Sequence, residues 1–313
     1  MFPEACRYLL LLATVVSAAA KTLPSGLSIG ATTNVTIESS GIDRTYLISI
    51  PPKFDAGNDT PVIFSFHGGS KNASEQQELS QFSNSEFNDF AIAIYPQGIN
   101  VRLVPVSLAT WQGVPGSSAN DLQFVTDILD QLEQQFSIDT ARVWASGKSD
   151  GGGFTNTLAC DATLSARLAA FAPVSGAFYI AGSGCDPATV TMPCTPARTQ
   201  IPVLEFHGLK DTTIDYEGDA DRKSACLPAI PHWAQAWAVR DGLASTNVTS
   251  DLTADTKVYS FGAGDDEGLV TQVTDSKLAH DWPSTVPVGD KETASFNATP
   301  IIIEFFQKYT LPS

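Results

Sequence analysis

The chain has 313 residues, of which 43% are hydrophobic and only 17% are charged. Its formal net charge of -16 at pH 7 argues against nucleic acid or an anionic membrane surface as a partner. A chain of this length and hydrophobic content can bury one large core, and a neutral ligand is the simpler expectation.

The N-terminus has the pattern of a secretory signal peptide. Arg7 precedes an apolar run over residues 8–16, and the small residues Ala18 and Ala20 follow it. The run is too short to cross a hydrocarbon layer of about 30 Å, so we expect cleavage after Ala20 rather than membrane anchoring. The sequence therefore predicts a secreted, extracellular protein with a signal peptide at 1–20 and a single domain at 21–313.

Cysteine and asparagine patterns indicate the same compartment. Cys6 lies in the signal segment, and the four other cysteines predict two disulfides, with three pairings open, among Cys160, Cys185, Cys194 and Cys226. Sequons for N-glycosylation begin at Asn34, Asn58, Asn72, Asn247 and Asn297. Together they predict a glycoprotein.

The first predicted elements are strands of two kinds. Residues 33–38 and 44–50 alternate between apolar and polar side chains, which is typical of an antiparallel hairpin with one solvated face. Later runs are almost continuously apolar, as expected of parallel strands that are covered on both faces. These runs lie at 61–66, 90–95, 143–145, 168–171 and 203–206.

Helical patterns alternate with the apolar strands. The clearest covers 121–136, where apolar side chains recur at helical spacing behind Asn120 or Asp121 as the N-cap. Further helices are predicted at 152–159, 232–240 and 301–309. This alternation predicts an α/β fold with a doubly wound, mostly parallel sheet and an antiparallel N-terminal hairpin.

A serine between glycines stands where a predicted strand meets a predicted helix. Residues 147–151 read Gly-Lys-Ser-Asp-Gly. A serine on such a sharp turn is held in a strained backbone clear of the sheet, and the glycines remove side chains that would collide there. We therefore predict that Ser149 is a nucleophile, which requires an acid and then a histidine farther along the chain.

The chain has four histidines, so each can be considered as the base. His67 lies ahead of the serine, where an oxyanion loop is expected, and His207 ends a predicted strand. His232 lies within a predicted helix, which favours a structural or surface role. His280 lies in a loop before the C-terminal helix, which is the position of a catalytic histidine in a fold of this order.

Asp211 is the preferred acid. It follows the buried strand 203–206 at its carboxyl end, where open α/β sheets gather functional groups. Glu205 within that strand and Asp215 farther into the loop are the alternatives. As the acid, Asp211 would accept the Nδ1 proton of His280 and orient its ring.

Backbone amides are predicted to bind the oxygen of a tetrahedral intermediate. One donor is the N–H of Asp150 at the start of the helix after the serine, and the other is an N–H within Gly68-Gly69-Ser70. Glycine there lets the backbone approach a reacting carbonyl. The sequence has no P-loop, no dinucleotide-binding motif after its first strand and no metal-ligand spacing, so neither cofactor nor metal is expected.

Taken together, these motifs resemble the secreted fungal feruloyl esterases, within the wider group of polyhydroxybutyrate depolymerase-like and acetylxylan esterases. The resemblance covers nearly the whole mature chain. It rests on the segments 66–69, 147–154, 206–208 with Asp211, and 280–283, although Ala279 stands where the family usually has glycine. It implies an α/β-hydrolase fold in which Ser149 is the nucleophile, Asp211 the acid and His280 the base.

The resemblance also implies an activity. A feruloyl esterase hydrolyses the ester between a hydroxycinnamic acid and arabinose in plant cell-wall arabinoxylan, so a polysaccharide ester is the expected partner of a monomeric protein. Acetylxylan esterase and polyhydroxybutyrate depolymerase activities by the same triad are the alternatives. Aromatic side chains that could stack on a cinnamoyl ring are Trp111, Tyr179, Trp233 and Trp282, although packing in the core is the preferred role for any one of them.

Overall fold

The structure, a computed structural model, describes residues 22–103, 106–290 and 293–312. The predicted signal peptide at 1–20 lies outside the described residues. In chain order the strands are β1 (Thr32–Ser39), β2 (Ile42–Ser49), β3 (Thr60–Phe66), β4 (Ile92–Pro96), β5 (Ile99–Leu103), β6 (Val106–Thr110), β7 (Ile138–Lys148), β8 (Ala170–Val174), β9 (Ile180–Ala181), β10 (Val203–Gly208), β11 (Asp219–Arg222), β12 (Ala225–Leu227), β13 (Asn247–Thr253), β14 (Thr256–Phe261) and β15 (Val270–Asp275). The α-helices are α1 (Ala73–Ser80), α2 (Asp121–Gln135), α3 (Asp150–Cys160), α4 (Ile230–Arg240) and α5 (Ala298–Gln307), with 3₁₀ turns at Leu164–Ala166 and Gly264–Asp266.

Ten strands form one large sheet in the order β1-β2-β4-β3-β7-β8-β10-β15-β14-β13. The six strands from β4 to β15 in that order pair in parallel. The β1–β2 hairpin adds to β4 antiparallel, as predicted, and β14 and β13 add antiparallel at the opposite edge. The predicted α/β class is therefore confirmed, with a second antiparallel edge that the sequence analysis did not find.

Successive side chains of the central strands enter two separate cores, because they point to opposite faces of the sheet. Val62 and Phe64 of β3 pack in a cluster with α2, α3 and α4. Ile63 between them packs in a second cluster with α1 and α5. Both faces of the parallel strands are thus covered by helices, which explains their continuously apolar sequence.

The predicted helices are present with small changes at their ends. Asn120 is the N-cap of α2, where its side chain accepts a hydrogen bond from the Gln123 amide at 3.3 Å. The strands predicted at 90–95 and 168–171 begin later, at Ile92 and Ala170. The apolar residues just before them are part of the core but precede the ladder, so hydrophobicity alone placed those boundaries too early.

Other elements were missed because their sequences lack an apolar period. Helix α1 is rich in glutamine and glutamate, and a capping box between Asn72 and Glu75 defines its start. Strand β13 is almost entirely exposed, so it shows no buried face. A small sheet of β11, β12 and β9 and a hairpin of β5 and β6 have strands of only two to five residues.

Two disulfides join the segment between α3 and β12. Cys160 at the end of α3 is bonded to Cys194, and Cys185 is bonded to Cys226 of β12. The predicted number of bridges is confirmed, and the structure selects one of the three open connectivities. The side chains of Asn34, Asn58, Asn72 and Asn247 are exposed and that of Asn297 is half-buried. Within the described residues, no helix is long and apolar enough to cross a membrane.

Candidate active site

Ser149 occupies a strained turn between β7 and α3. Its backbone has φ 56° and ψ -120°, outside the regions that residues with a side chain prefer. A Cβ atom at Gly147 would clash with the Gly151 carbonyl, and one at Gly151 would clash with the Phe66 carbonyl. The two flanking glycines are therefore required by close backbone packing, as the motif predicts.

Asp211 and His280 form a hydrogen-bonded pair at the carboxyl ends of the parallel strands. His280 Nδ1 lies 2.6 Å from Asp211 Oδ2, while Asp211 Oδ1 accepts the Thr213 and Ile214 amides at 2.8 Å. Burial opposes ionisation, but the hydrogen bond and charge of His280 outweigh it and hold the pKa of Asp211 below its usual value. Asp211 is thus an ionised acceptor that orients the imidazole.

Two cavities meet at Ser149. The first, which we call the helix cavity, has a volume of about 210 Å³ and is lined by α1 residues, Lys148 and Asp290. The second, which we call the hairpin cavity, has a volume of about 220 Å³ and is lined by Thr110, Tyr179 and Arg222. Gly69, Ser149 and His280 line both cavities. An ester bound with its carbonyl at Ser149 can therefore place one portion in each.

Ser149 and His280 both line the two cavities, but their side chains are not hydrogen-bonded to each other. Among the described residues, Ser149 Oγ has no hydrogen-bond partner, so its hydroxyl is free to turn toward either cavity. Hydrogen bonds between nucleophile and base are often long in enzymes without substrate and shorten when substrate binds.

Backbone amides face this junction. The Ser70 amide donates to the Ala109 carbonyl at 2.8 Å, which removes it as a donor. The Gly68 and Gly69 amides have no acceptor among the described residues, and the Asp150 amide is the first of α3 and has no partner within the helix. A Cβ at Gly69 would clash with the Asp150 carboxylate, so the loop and the helix start are closely packed.

His67 supports the glycine loop as a neutral side chain. Its Nε2 accepts the Gly98 amide at 2.9 Å, which leaves Nδ1 as the donor to the Gly68 carbonyl at 2.8 Å. Burial lowers the pKa of His67 to about 4. Trp111 adds a 2.7 Å hydrogen bond from its indole N–H to the His67 carbonyl. These contacts keep the Gly68 carbonyl in a hydrogen bond with the buried His67 ring.

His207 and Glu205 form a buried pair behind Asp211. His207 Nδ1 lies 2.8 Å from Glu205 Oε1, and Nε2 lies 2.8 Å from the Ile214 carbonyl and 3.4 Å from Asp211 Oδ2. A carbonyl only accepts, so Nε2 carries a proton and a second proton is shared by Nδ1 and Glu205. Burial lowers the pKa of His207, but the carboxylates of Glu205 and Asp211 more than offset it and raise that pKa.

The remaining side chains considered in the sequence lie elsewhere. Asp215 is exposed and accepts the Glu217 amide, and His232 Nε2 donates to the Val190 carbonyl at 2.9 Å. Trp111, Trp233 and Trp282 are fully buried in the cores and line neither cavity, so they have the core-packing role that was preferred to stacking. Tyr179 alone of the four aromatic candidates lines a cavity.

One ion pair beside the nucleophile was missed by the sequence analysis. The Lys148 ammonium donates to both Asp290 oxygens, at 2.6 and 2.7 Å, and both side chains are mostly buried. Asp290 also accepts the Trp282 amide. The serine turn and the loop that carries His280 are thereby tied together. The residues lie 142 positions apart, so no local signal could have paired them.

Among the described residues, no group of three or more histidine, cysteine, aspartate and glutamate side chains is arranged to hold a metal ion. The chemistry available at the site is that of a hydroxyl, an oriented imidazole and free backbone amides.

Comparison with solved structures decides the fold. An acetyl xylan esterase from Aspergillus awamori superposes on the chain with a TM-score of 0.63, covering 89% of this chain and 100% of that one at 16% identity. The chain has the α/β-hydrolase fold. At this identity the likeness extends to the architecture alone.

Sequence relatives confirm the predicted resemblance, although no protein-family model matches the chain. Feruloyl esterase B of Piromyces equi is 29% identical over 175 residues, 56% of this chain and 30% of that protein. A bifunctional acetylxylan esterase/xylanase of Neocallimastix patriciarum is 28% identical over 159 residues, 51% of this chain and 20% of that protein. A probable feruloyl esterase C of Aspergillus flavus is 27% identical over 229 residues, covering 71% of this chain and 75% of that protein. The chain thus spans less than a third of the length of each of the first two relatives.

Proposed function

We propose that the protein is a secreted serine esterase that hydrolyses hydroxycinnamoyl esters, such as feruloyl esters, of plant cell-wall arabinoxylan. The observation that carries this proposal is the hydrogen bond of an ionised Asp211 to His280, whose ring lines the same two cavities as Ser149 on its strained turn. Each part of a serine esterase has a counterpart among these groups.

The proposed reaction has two steps. His280 Nε2 takes the proton of Ser149 Oγ as the oxygen attacks the ester carbonyl, and Asp211 stabilises the imidazolium that forms. The imidazolium then protonates the departing alcohol, which leaves an acyl group on Ser149. Water, activated by the same imidazole, releases the acid and restores the serine.

The developing oxyanion would be bound by backbone amides. Asp150 supplies one N–H at the positive end of α3, and Gly69 or Gly68 supplies the other. His67 keeps the neighbouring Gly68 carbonyl in a hydrogen bond with its buried ring. Loss of a single such donor typically costs about 10² to 10³ in turnover.

The dimensions of the site favour an aromatic acyl group. Each cavity has a volume of at least about 210 Å³, which is far more than an acetyl group needs. The names of the curated relatives support both feruloyl and acetylxylan esters, so acetylxylan esterase activity is the second candidate. Polyhydroxybutyrate depolymerase activity has no particular feature in its favour.

A substrate panel tests the proposal. Methyl ferulate, methyl sinapate, acetylated xylan and hydroxybutyrate oligomers are assayed side by side with the wild type and Ser149→Ala. We expect hydrolysis of the hydroxycinnamates and a loss of about 10⁶ in turnover in the variant. Retention of full activity by a folded Ser149→Ala protein would refute the mechanism, and hydrolysis of acetylated xylan alone would replace the substrate assignment.

A further inference from the structure

The hairpin cavity contains polar groups that the proposed chemistry does not use. Tyr179 lines this cavity together with Arg222 and Lys223 at the end of the β11–β12 hairpin. The Lys223 ammonium lies 5.5 Å from the centre of the Tyr179 ring. In a chain with a net charge of -16, two adjacent cations beside the nucleophile are an unusual local charge.

The Arg222 side chain has no partner within the described part of the chain. Its guanidinium makes no hydrogen bond and no ion pair there, and its Nε atom is buried. Arg44, by contrast, pairs with Asp121, and Arg167 pairs with Asp130 and Glu133. Tyr179 lines the same cavity, and its buried hydroxyl likewise has no hydrogen-bond partner among the described residues. Buried donors are normally paired, so the absence of a protein partner for the Arg222 guanidinium beside a cavity is an unusual feature that a ligand could satisfy.

The hairpin that carries the cations is held firmly. Lys223 and Ser224 both have left-handed backbones, with φ 52° and 62°, as a tight two-residue turn requires. The strand after the turn pairs with β9, and its Cys226 is bonded to Cys185. The guanidinium is thus presented on a fixed support, and little ordering is needed when a ligand binds.

The positive charge of Arg222 favours one class of ligand over another. A guanidinium is always ionised and only donates, and its planar fork matches a carboxylate. The one carboxylate that lines the cavity, Asp150, accepts the Thr110 hydroxyl at 3.0 Å and forms no ion pair with Arg222. A neutral sugar hydroxyl would leave the Arg222 charge unbalanced, whereas a carboxylate would neutralise it.

We propose that the hairpin cavity binds a carboxylate on the ester substrate, with Arg222 as its main partner and Lys223 and Tyr179 in support. This inference rests on the proposed esterase function. The carboxylate can belong to the acyl portion, as in a dicarboxylic cinnamate, or to the alcohol portion, as in a uronic acid. The chemistry of recognition is the same in both cases.

Two matched pairs of esters test the proposal and separate these sources. Methyl 4-carboxycinnamate is compared with methyl cinnamate for the acyl portion, and carboxymethyl ferulate with 2-hydroxyethyl ferulate for the alcohol portion. The ratio of kcat/KM for the charged ester to that for the neutral ester is measured at low and high salt. We expect the ratio to exceed one in one pair and to fall as salt screens the charge.

Variants assign the effect to Arg222. In Arg222→Gln we expect the ratio to fall about tenfold, in keeping with one lost hydrogen-bonded ion pair, and Arg222→Lys should retain part of it. Arg142→Gln removes a partly exposed arginine paired with Asp139 on β7 and serves as the matched control, with an unchanged ratio. Circular dichroism checks that each variant is folded.

The outcomes distinguish this inference from the function on which it rests. Hydrolysis of the neutral esters with no charge preference, or an equal ratio in Arg222→Gln, overturns the carboxylate site and leaves the esterase intact. If no ester is hydrolysed, the esterase proposal fails. In that case the carboxylate site is tested separately by calorimetric binding of 4-carboxycinnamate. Equal affinities of the wild type and Arg222→Gln for this compound would overturn the proposed site.

Discussion

Replacement of Lys148 by methionine should destabilise the protein and loosen its candidate site. The Lys148 and Asp290 side chains are only 9% and 14% exposed, and two short hydrogen bonds join them. Methionine keeps the length of the side chain but leaves the Asp290 carboxylate without a counter-charge. Removal of one partner from a buried pair typically costs about 3 to 5 kcal/mol.

The expected loss lies at the lower end of that range. Asp290 retains some exposure to water and keeps the hydrogen bond from the Trp282 amide, so we expect the free energy of unfolding to fall by about 3 kcal/mol. Turnover should fall as well, because the pair connects the Ser149 turn to the His280 loop. Urea unfolding followed by tryptophan fluorescence measures the first effect, and methyl ferulate hydrolysis measures the second.

A double variant provides the control. Lys148→Met with Asp290→Asn has no uncompensated charge, and the asparagine oxygen can still accept the Trp282 amide. We expect it to be within about 1 kcal/mol of the wild type in unfolding free energy. A loss below about 1 kcal/mol in Lys148→Met, or a double variant no more stable than the single one, would refute this reasoning.

Three further predictions concern strain, protonation and covalent links. Ser149→Gly should be inactive yet more stable than Ser149→Ala by about 1 kcal/mol in thermal unfolding, because glycine tolerates φ 56°. Equal stability of the two variants would contradict the conclusion that the backbone is strained at this position. His67 has a pKa lowered by burial from 6.5 to about 4, so folding favours its neutral form and stability is lost as pH falls through that interval. Between pH 7 and 4 the unfolding free energy of the wild type should therefore drop by about 3 kcal/mol more than that of His67→Gln, and parallel pH curves would exclude this. Replacement of Cys160 and Cys194 by serine removes a disulfide between residues 34 positions apart and should lower the free energy of unfolding by about 4 kcal/mol. A variant as stable as the wild type in a denaturant titration would contradict this prediction.

Local patterns account for most of what could be predicted of the fold. Continuous apolar runs indicated the parallel strands, because β3, β7 and β10 are covered on both faces. Polar elements such as α1 and β13 gave no such signal, and the second antiparallel edge was missed with them. Prediction from periodicity therefore succeeded for continuously apolar or regularly alternating segments, and it failed for elements without such a pattern, including the buried parallel strand β15, which alternates Val with polar residues only in part.

For the candidate site, too, local sequence predicted some features and could not predict others. The turn around Ser149 could be recognised because five consecutive residues contain both the serine and the glycines that its packing needs. Asp211 was preferred to Glu205 and Asp215 from its place at a strand end. The buried pairing of Glu205 with His207 had no sequence signature, since either residue could as well have been a functional group.

The amino-acid sequence by itself determined the α/β class, the strand–turn–helix setting of Ser149 and the presence of two disulfides, because these follow from patterns within short segments or from simple counts. Only the tertiary structure decided which cysteines are joined, that Lys148 pairs with Asp290, and that Arg222 lines the same cavity as the nucleophile. Those contacts join residues that are far apart in the chain. Their energies depend on burial and on which charges face each other, and neither is specified until the sheet has brought its loops together at one edge.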